Sequence, residues 1–352
     1  MMPAATVWSG RARQAGRGAL LATIVVLHAV VLAAPWVAPY DPAAQHREVP
    51  FAPPTRLHFV DRDGHWHARP FVCAIVHVPG TFFRYVEDCS TTAPVRAFVM
   101  RPEPFGFTTR PARHLYGPDA PLDLFLFGTD EFGRDVFSRL LIGARVSLSM
   151  AIAAAGLALL IAIITGAVAG YAGGFADTVI SAGTELVLGL PWLYLLVAVR
   201  AALPLSLPPP QAMMVIVFLL GFLGWARPGR LVRATVAAAR GREYVTAART
   251  AGASMPRILV RHILPDVTAV VTVAGVILVR QFVVAETTLS LFGLGVPEPV
   301  PSWGTMLAAA QRPRALTETW WLLAPVAGLI VVCMVYYALA RVLRPDPLHN
   351  RL

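Results

Sequence analysis

Residues 243–265 read EYVTAARTAGASMPRILVRHILP, a polar stretch lying between two long apolar segments. Glu243 opens a helical pattern in which Val245, Ala248 and Ala251 fall within reach of one another, and Ala247, Ala248 and Ala251 keep the surface nearly flat. Gly252 stands where a helix ends on a residue that tolerates positive φ. Ser254 is placed to cap the next helix and Pro256 suits its first turn. Ile258, Leu259 and Ile263 then form an apolar face, and Pro265 is expected to stop that helix. A short flat helix, a glycine break and a second helix make a docking surface, not a membrane span.

Working outward, the 352-residue chain is 56% hydrophobic and 14% charged, with a mean hydropathy of +0.61, which marks an integral membrane protein. Crossing about 30 Å of hydrocarbon takes about 20 residues. Six segments meet or approach that length: 18–40, 146–171, 178–199, 211–226, 267–288 and 319–340. Six spans put both termini on one side. Arg11, Arg13 and Arg17 precede the first span, eight arginines lie in 227–265 against Glu243 alone, and Arg341, Arg344 and Arg351 close the chain. Even parity and the positive-inside rule therefore agree that the termini, 1–17 and 344–352, and the loop 227–265 are cytoplasmic. A cleaved signal at 18–40 is the alternative for the first span, and its long uncharged run favours retention.

The net charge of +10 is carried wholly by arginine and is read as topology, since no nucleic-acid-binding module is recognisable. Between the first two spans, 41–145 is hydrophilic and proline-rich. Its short aromatic or β-branched runs alternate with turn signals at Asp63-Gly64 and Pro79-Gly80, which predicts a small β-rich domain outside the cytoplasm. Cys73 and Cys89 both fall there, and a disulfide or two free thiols are equally open readings. His65 and His67 flank Trp66, and exposed rings on a strand are the commoner meaning of such a pattern, so no metal site is assigned. Cys333 lies in an apolar span.

No phosphate loop, HExxH, GxSxG or metal-ligand spacing of Cys and His is present, so the chain is read as neither an enzyme nor an ATP site. Charges within spans are costly, about 2.5–3.5 kcal/mol each on insertion scales. Glu185, Arg280 and Glu286 are accordingly candidates for a translocation path, or for ends of spans that reach interfacial water.

The segment 243–265 resembles the EAA loop of binding-protein-dependent ABC importers, through Ala247, Ala248, Gly252, Leu264 and Pro265. The leading Glu of that signature is replaced here by Thr246. More specifically, Gly128-Thr129-Asp130, Gly133-Arg134-Asp135 and Pro301-Ser302-Trp303-Gly304 occur in the order and at the places seen in the dipeptide and oligopeptide permease family. The resemblance implies an all-α polytopic membrane protein with six transmembrane helices of the type I ABC importer fold. The β-rich extracytoplasmic insertion 41–145 sits between helices 1 and 2, and 146–343 is the permease core. It further implies a cell-membrane subunit that pairs with a second homologous permease, two ATPase subunits that bind ATP and Mg, and an extracytoplasmic substrate-binding protein. The coupling residues would be Glu243, Thr246, Ala247, Ala248, Ala251, Gly252, Leu264 and Pro265. The competing class is an ion-driven secondary transporter or channel using Glu185, Arg280 and Glu286.

Overall fold

The computed structural model describes residues 4–81, 84–204, 206–311 and 317–343, except 103–110 and 119–121; of the side chains of 4–15, 17, 101–102 and 111–114 nothing is said. The expected basic residues Arg11, Arg13, Arg17, Arg344 and Arg351 lie outside the described side chains. Twelve α-helical segments are described: α1 (Ala4–Leu32), α2 (Ala34–Val37), α3 (Val136–Ala172), α4 (Gly174–Gly189), α5 (Trp192–Ala202), α6 (Pro209–Gly224), α7 (Ala226–Arg240), α8 (Glu243–Thr250), α9 (Met255–Ile258), α10 (Leu264–Leu291), α11 (Trp303–Ala309) and α12 (Ala324–Leu343). Four antiparallel strands, β1 (His58–Val60), β2 (Trp66–His77), β3 (Tyr85–Pro102) and β4 (Pro111–Pro118), pair in chain order.

By length and composition, three continuous helices suit a membrane: Val136–Ala172, Met255–Leu291 and Trp320–Leu343. The number rises to five if the bent pairs α4 with α5 and α6 with α7 each count once, and the apolar part of α1, Gly18–Leu32, is shorter. Several expected boundaries shift. The segment expected at 178–199 is broken by an 84° bend, because Leu190 takes the extended conformation that a following proline imposes. The segment at 211–226 runs instead from Pro209 to Gly224 and bends by 43° into α7. Pro265 does not stop a helix. A π-helical turn, Leu259–Ile263, precedes it, and the helix continues through Met255–Leu291. Proline cannot donate to the fourth residue back and crowds that carbonyl, and a widened turn is one way to absorb both defects.

The chain forms two compact units. One comprises Met1–Thr23, Leu148–Leu289 and Val332–Leu352. Within it α3 meets α7 with almost no side-chain layer between them. A Cβ on Gly166 would lie 2.7 Å from the carbonyl oxygen of Gly229, and one on Gly170 would lie 2.6 Å from that of Arg233. Gly166 and Gly170 are spaced as a small-xxx-small pair, the pattern that lets helix backbones approach. Arg233 of α7 chelates Asp177 of α4 through Nε and through an NH2 to Oδ2 bond of 2.7 Å.

The other unit comprises Ile24–Ser147 and Ser290–Val331. It contains the sheet and the Cys73–Cys89 disulfide, whose Cα atoms are 4.6 Å apart. The Gly128–Asp135 motif forms a tight brace there. Thr129 N–H donates to Ala52 O at 2.9 Å while Ala52 N–H donates to Thr129 Oγ1 at 2.8 Å. A Cβ on Gly133, at φ +72°, would stand 1.9 Å from His46 O, so only glycine fits. Asp130 accepts Arg134 Nε at 2.7 Å, and Glu298 accepts Arg134 NH1 at 2.8 Å and Arg139 NH2 at 2.9 Å. Ser302 and Thr305 cap α11 reciprocally, and Trp303 donates its indole N–H to Leu140 O at 3.1 Å and its backbone N–H to Ser147 Oγ at 3.2 Å.

Asp135 precedes α3 and accepts Ser138 N–H at 2.8 Å, but its Oδ1 has no hydrogen-bond partner among the described residues. Burial raises its pKa from the ordinary 3.8 to about 6. A value raised on folding means that the folded state holds the proton more tightly. The contribution is full below about pH 4 and is lost as pH rises through about 6, on the order of 3 kcal/mol in total. Thermal unfolding of the detergent-solubilised protein from pH 4.5 to 7.5 should show Asp135→Asn gaining on the wild type as pH rises; a constant difference would refute the assignment. Gly170→Leu should destabilise by about 1–3 kcal/mol or more through overpacking against α7. Gly156→Leu on the same helix, where a Cβ meets nothing within 4 Å, should be near neutral in the same melts.

Candidate functional site

The segment 243–265 is built upon an apolar cluster. Val232, Val236 and Ala239 of α7, Val245 of α8, Ile258 of α9, Ile263 and Val267 are all buried together, with Ala248, Ala253 and Leu264 packed against them. Val232, Val236 and Ala239 recur at helical spacing, so α7 offers one continuous stripe to this cluster. Val245 and Ala248, three apart on α8, turn toward it. Ala247 and Ala251, four apart, turn away and are exposed.

This divides the small-residue face expected from sequence. Ala248 belongs with Val245 to the packed side, whereas Ala247, Ala251 and Gly252 remain available at the surface together with Glu243, Thr246 and Thr250. The reason is the 100° turn per helical residue, which cannot place adjacent Ala247 and Ala248 on one face.

The end of α8 closes on itself. Gly252 has φ +79°, its N–H donates to Arg249 O at 3.0 Å, and Ala253 N–H donates to Ala248 O at 3.0 Å. These two bonds and the left-handed glycine constitute a Schellman motif, and the accompanying apolar contact is made by Ala248 and Ala253 against the same cluster. Ser254 sits at the expected N-cap of α9 but makes no side-chain capping bond, and Pro256 occupies the first turn as expected. At the other end, Asp266 Oδ2 accepts Tyr244 Oη–H at 2.9 Å and Arg242 NH1 at 3.2 Å. Arg249 stacks over the Tyr171 ring at 5.8 Å. The short helix is thereby joined to α3, α7 and α10 through named contacts, a rigid attachment for a surface element. Thr246, which stands in place of the signature Glu, directs its hydroxyl to Arg242 O at 3.4 Å.

The charged residues expected along a path are Glu185, Arg280 and Glu286. Glu185 is exposed and pairs with Arg230 NH2 at 2.8 Å. Arg280 lies over the Tyr337 ring at 5.7 Å. Glu286 is fully buried, so it does not reach water at a span end within this chain. Sequence reading passed over Arg200, which is buried on α5 and reaches Pro204 O at 3.4 Å. It also passed over Gly166 and Gly170; their four-residue spacing was the available signal. The motif residues Gly128, Thr129, Asp130, Gly133, Arg134 and Asp135, with Pro301, Ser302, Trp303 and Gly304, hold loops and a helix start together and expose no reactive group.

Comparison with known proteins gives a consistent family. The profile described as "Binding-protein-dependent transport system inner membrane component" matches residues 140–348. The oligopeptide transport system permease protein OppC of Bacillus subtilis is 36% identical over 208 residues, covering 59% of this chain and 66% of that protein, just under two thirds of its length. The di/tripeptide transport system permease protein DppC of Pseudomonas aeruginosa is 30% identical over 334 residues, 95% of this chain and 87% of that protein. Among solved structures, an inward-facing form of the MetNI methionine ABC transporter aligns with a TM-score of 0.44 and 15% identity, over 59% of this chain and 97% of that one. The chain belongs to the family of inner-membrane components of binding-protein-dependent transport systems.

Proposed function

We propose that the chain is one permease subunit of an ATP-driven importer of di- and oligopeptides, and that α8 is its coupling helix. The observation that carries this reading is the Schellman-closed helix anchored by Val245 and bearing Ala247, Ala251 and Gly252 on its open side. Small side chains permit a partner's backbone to come close. An ATPase subunit gripping this surface would move α8 with the cluster behind it, and through α7 and α10 would switch the spans between inward and outward access as rigid bodies. The partners are a second homologous permease, two ATPase subunits that carry ATP and Mg, and a substrate-binding protein. The names of the matched relatives support peptides as cargo. This chain contributes no catalytic group.

In this reading six spans are formed by α1, α3, α4 with α5, α6 with α7, α10 and α12. The termini and α8 are cytoplasmic and the sheet-bearing segment 41–145 is outside. The Cys73–Cys89 disulfide supports that side for the sheet, because such bonds persist in oxidising compartments. The ion-driven alternative is not favoured: Glu185 is already paired with Arg230, and the family is one of binding-protein-dependent systems.

Two experiments test the reading. In the assembled complex, Ala251→Trp or Ala247→Glu should lower substrate-stimulated ATP hydrolysis by at least about tenfold, a loss of about 1.4 kcal/mol of coupling. Membrane insertion should survive, and normal stimulation would sink the coupling assignment. In intact cells, a membrane-impermeant thiol reagent should label Cys73 and Cys89 only after reduction and only from outside; labelling confined to the cytoplasmic face would reverse the topology.

A further inference from the structure

Two bent helix pairs and α10 frame a cavity of about 230 Å³ within the helical unit. The 84° bend between α4 and α5 borders it on one side and the 43° bend between α6 and α7 on another. Leu190, Trp192, Leu223, Leu231, Ile277 and Phe282 make its walls apolar, while Arg227 adds a cation and Gln281 an amide. Given the peptide-permease reading, on which this rests, we propose that the cavity holds the C-terminal residue of a peptide in transit. The carboxylate would sit on Arg227 and the apolar side chain against the walls.

A series of charges along α4 and α7 singles out Arg227. Arg233 chelates Asp177, and Arg230 NH2 donates to Glu185 Oε1 at 2.8 Å. Arg227 follows at the same three-residue interval on α7 and is exposed, yet among the described residues no carboxylate pairs with it. In place of an acid, α4 brings Leu188, which lines the cavity together with Arg227. A guanidinium without an acid, set beside apolar walls in a span, calls for an anion that arrives with apolar surface attached. The last residue of a peptide carries both, since its carboxylate and its side chain leave the same carbon. An acidic side chain has the charge without the apolar neighbour.

The break between α4 and α5 argues against a lipid chain as the occupant. Leu190 is extended, Pro191 has no N–H, and the backbone N–H groups of Trp192, Leu193 and Tyr194 donate to no described residue. At membrane depth, backbone left open in this way is tolerated where it lines a water-filled cavity, not where it faces hydrocarbon. Leu190 and Trp192 both line this one. Pockets that take a whole drug-sized ligand begin at about 300 Å³, so this space suits one residue of the cargo and not the entire peptide.

The test is uptake into proteoliposomes carrying the assembled importer, with the tripeptide Ala-Ala-Leu and its C-terminal amide as paired probes. One binding protein serves every variant, so its own selectivity cancels from the comparison. The wild type should favour the free acid, and Arg227→Gln should lower the acid-to-amide ratio by at least about tenfold, the loss expected when a charged group loses a hydrogen-bonded partner. Ile277→Trp, which fills the cavity, should slow Ala-Ala-Leu more than Ala-Ala-Gly, whereas a general folding defect would slow both alike. In the wild type, a peptide ending in photoreactive leucine should label residues within 187–192, 223–231 or 274–282. An unchanged ratio in Arg227→Gln, equal slowing of both peptides by Ile277→Trp, or label confined to other parts of the chain would each overturn the proposal and leave the importer reading standing. A wild-type complex that takes up no peptide at all would overturn that reading as well.

Discussion

A backbone N–H or C=O buried without a partner costs about as much as a lost hydrogen bond, and this constraint decides where the chain is able to stop being helical. The breaks around 243–265 are each closed locally. At Gly252 a left-handed residue turns the chain so that two N–H groups cap the carbonyls of Ala248 and Arg249. At Pro265, which has no N–H to give, the preceding turn widens to a π-helix and the helix proceeds. Because both breaks are satisfied within a few residues, α8 keeps its place through the apolar cluster of Val232, Val236, Val245, Ile258 and Ile263. In the proposed coupling role a helix so fixed would transmit displacement, whereas one tethered by frayed ends would absorb it.

The same concern with unsatisfied groups organises the sheet-bearing unit. Arg134 and Arg139 are buried; Arg134 hydrogen-bonds both Asp130 and Glu298, and Arg139 hydrogen-bonds Glu298 and forms an ion pair with Asp130 at 3.6 Å. Such a cluster adds little net stability, since desolvation offsets most of the attraction. Losing one member would leave a buried charge without its partner, which is far more costly. Asp130 also accepts the backbone N–H groups of Phe132 and Arg134, so the charge that holds the arginine also shapes the loop. This explains why Asp130, Gly133 and Arg134 stand close together in the chain: one loop conformation requires all three.

Much of the membrane architecture was legible from local chemistry. Runs of apolar residues located α3, α10 and α12, and Gly252 with Pro256 marked the break and restart between α8 and α9. Turn glycines 64 and 80 do take positive φ. What local chemistry missed were features that depend on a second element. Pro191 was expected inside a span, and only the observed bend shows the span to be broken there. Gly166 and Gly170 look like ordinary apolar positions until α7 is laid against them with its carbonyls under 3 Å from a would-be Cβ. Glu185 reads as a lone charge in the sequence, and only the tertiary structure sets Arg230, forty-five residues away, beside it.

The sequence by itself determined composition, membrane class and the break at Gly252, because these depend on side-chain transfer energies and on the dihedral limits of single residues. Tertiary structure alone decided which face of α8 is free, that Cys73 reaches Cys89, and that Asp61 meets His65 and His67. Those outcomes depend on register and rotation: a helix turns 100° per residue and a strand alternates every residue, so the element packed alongside selects which side chains converge.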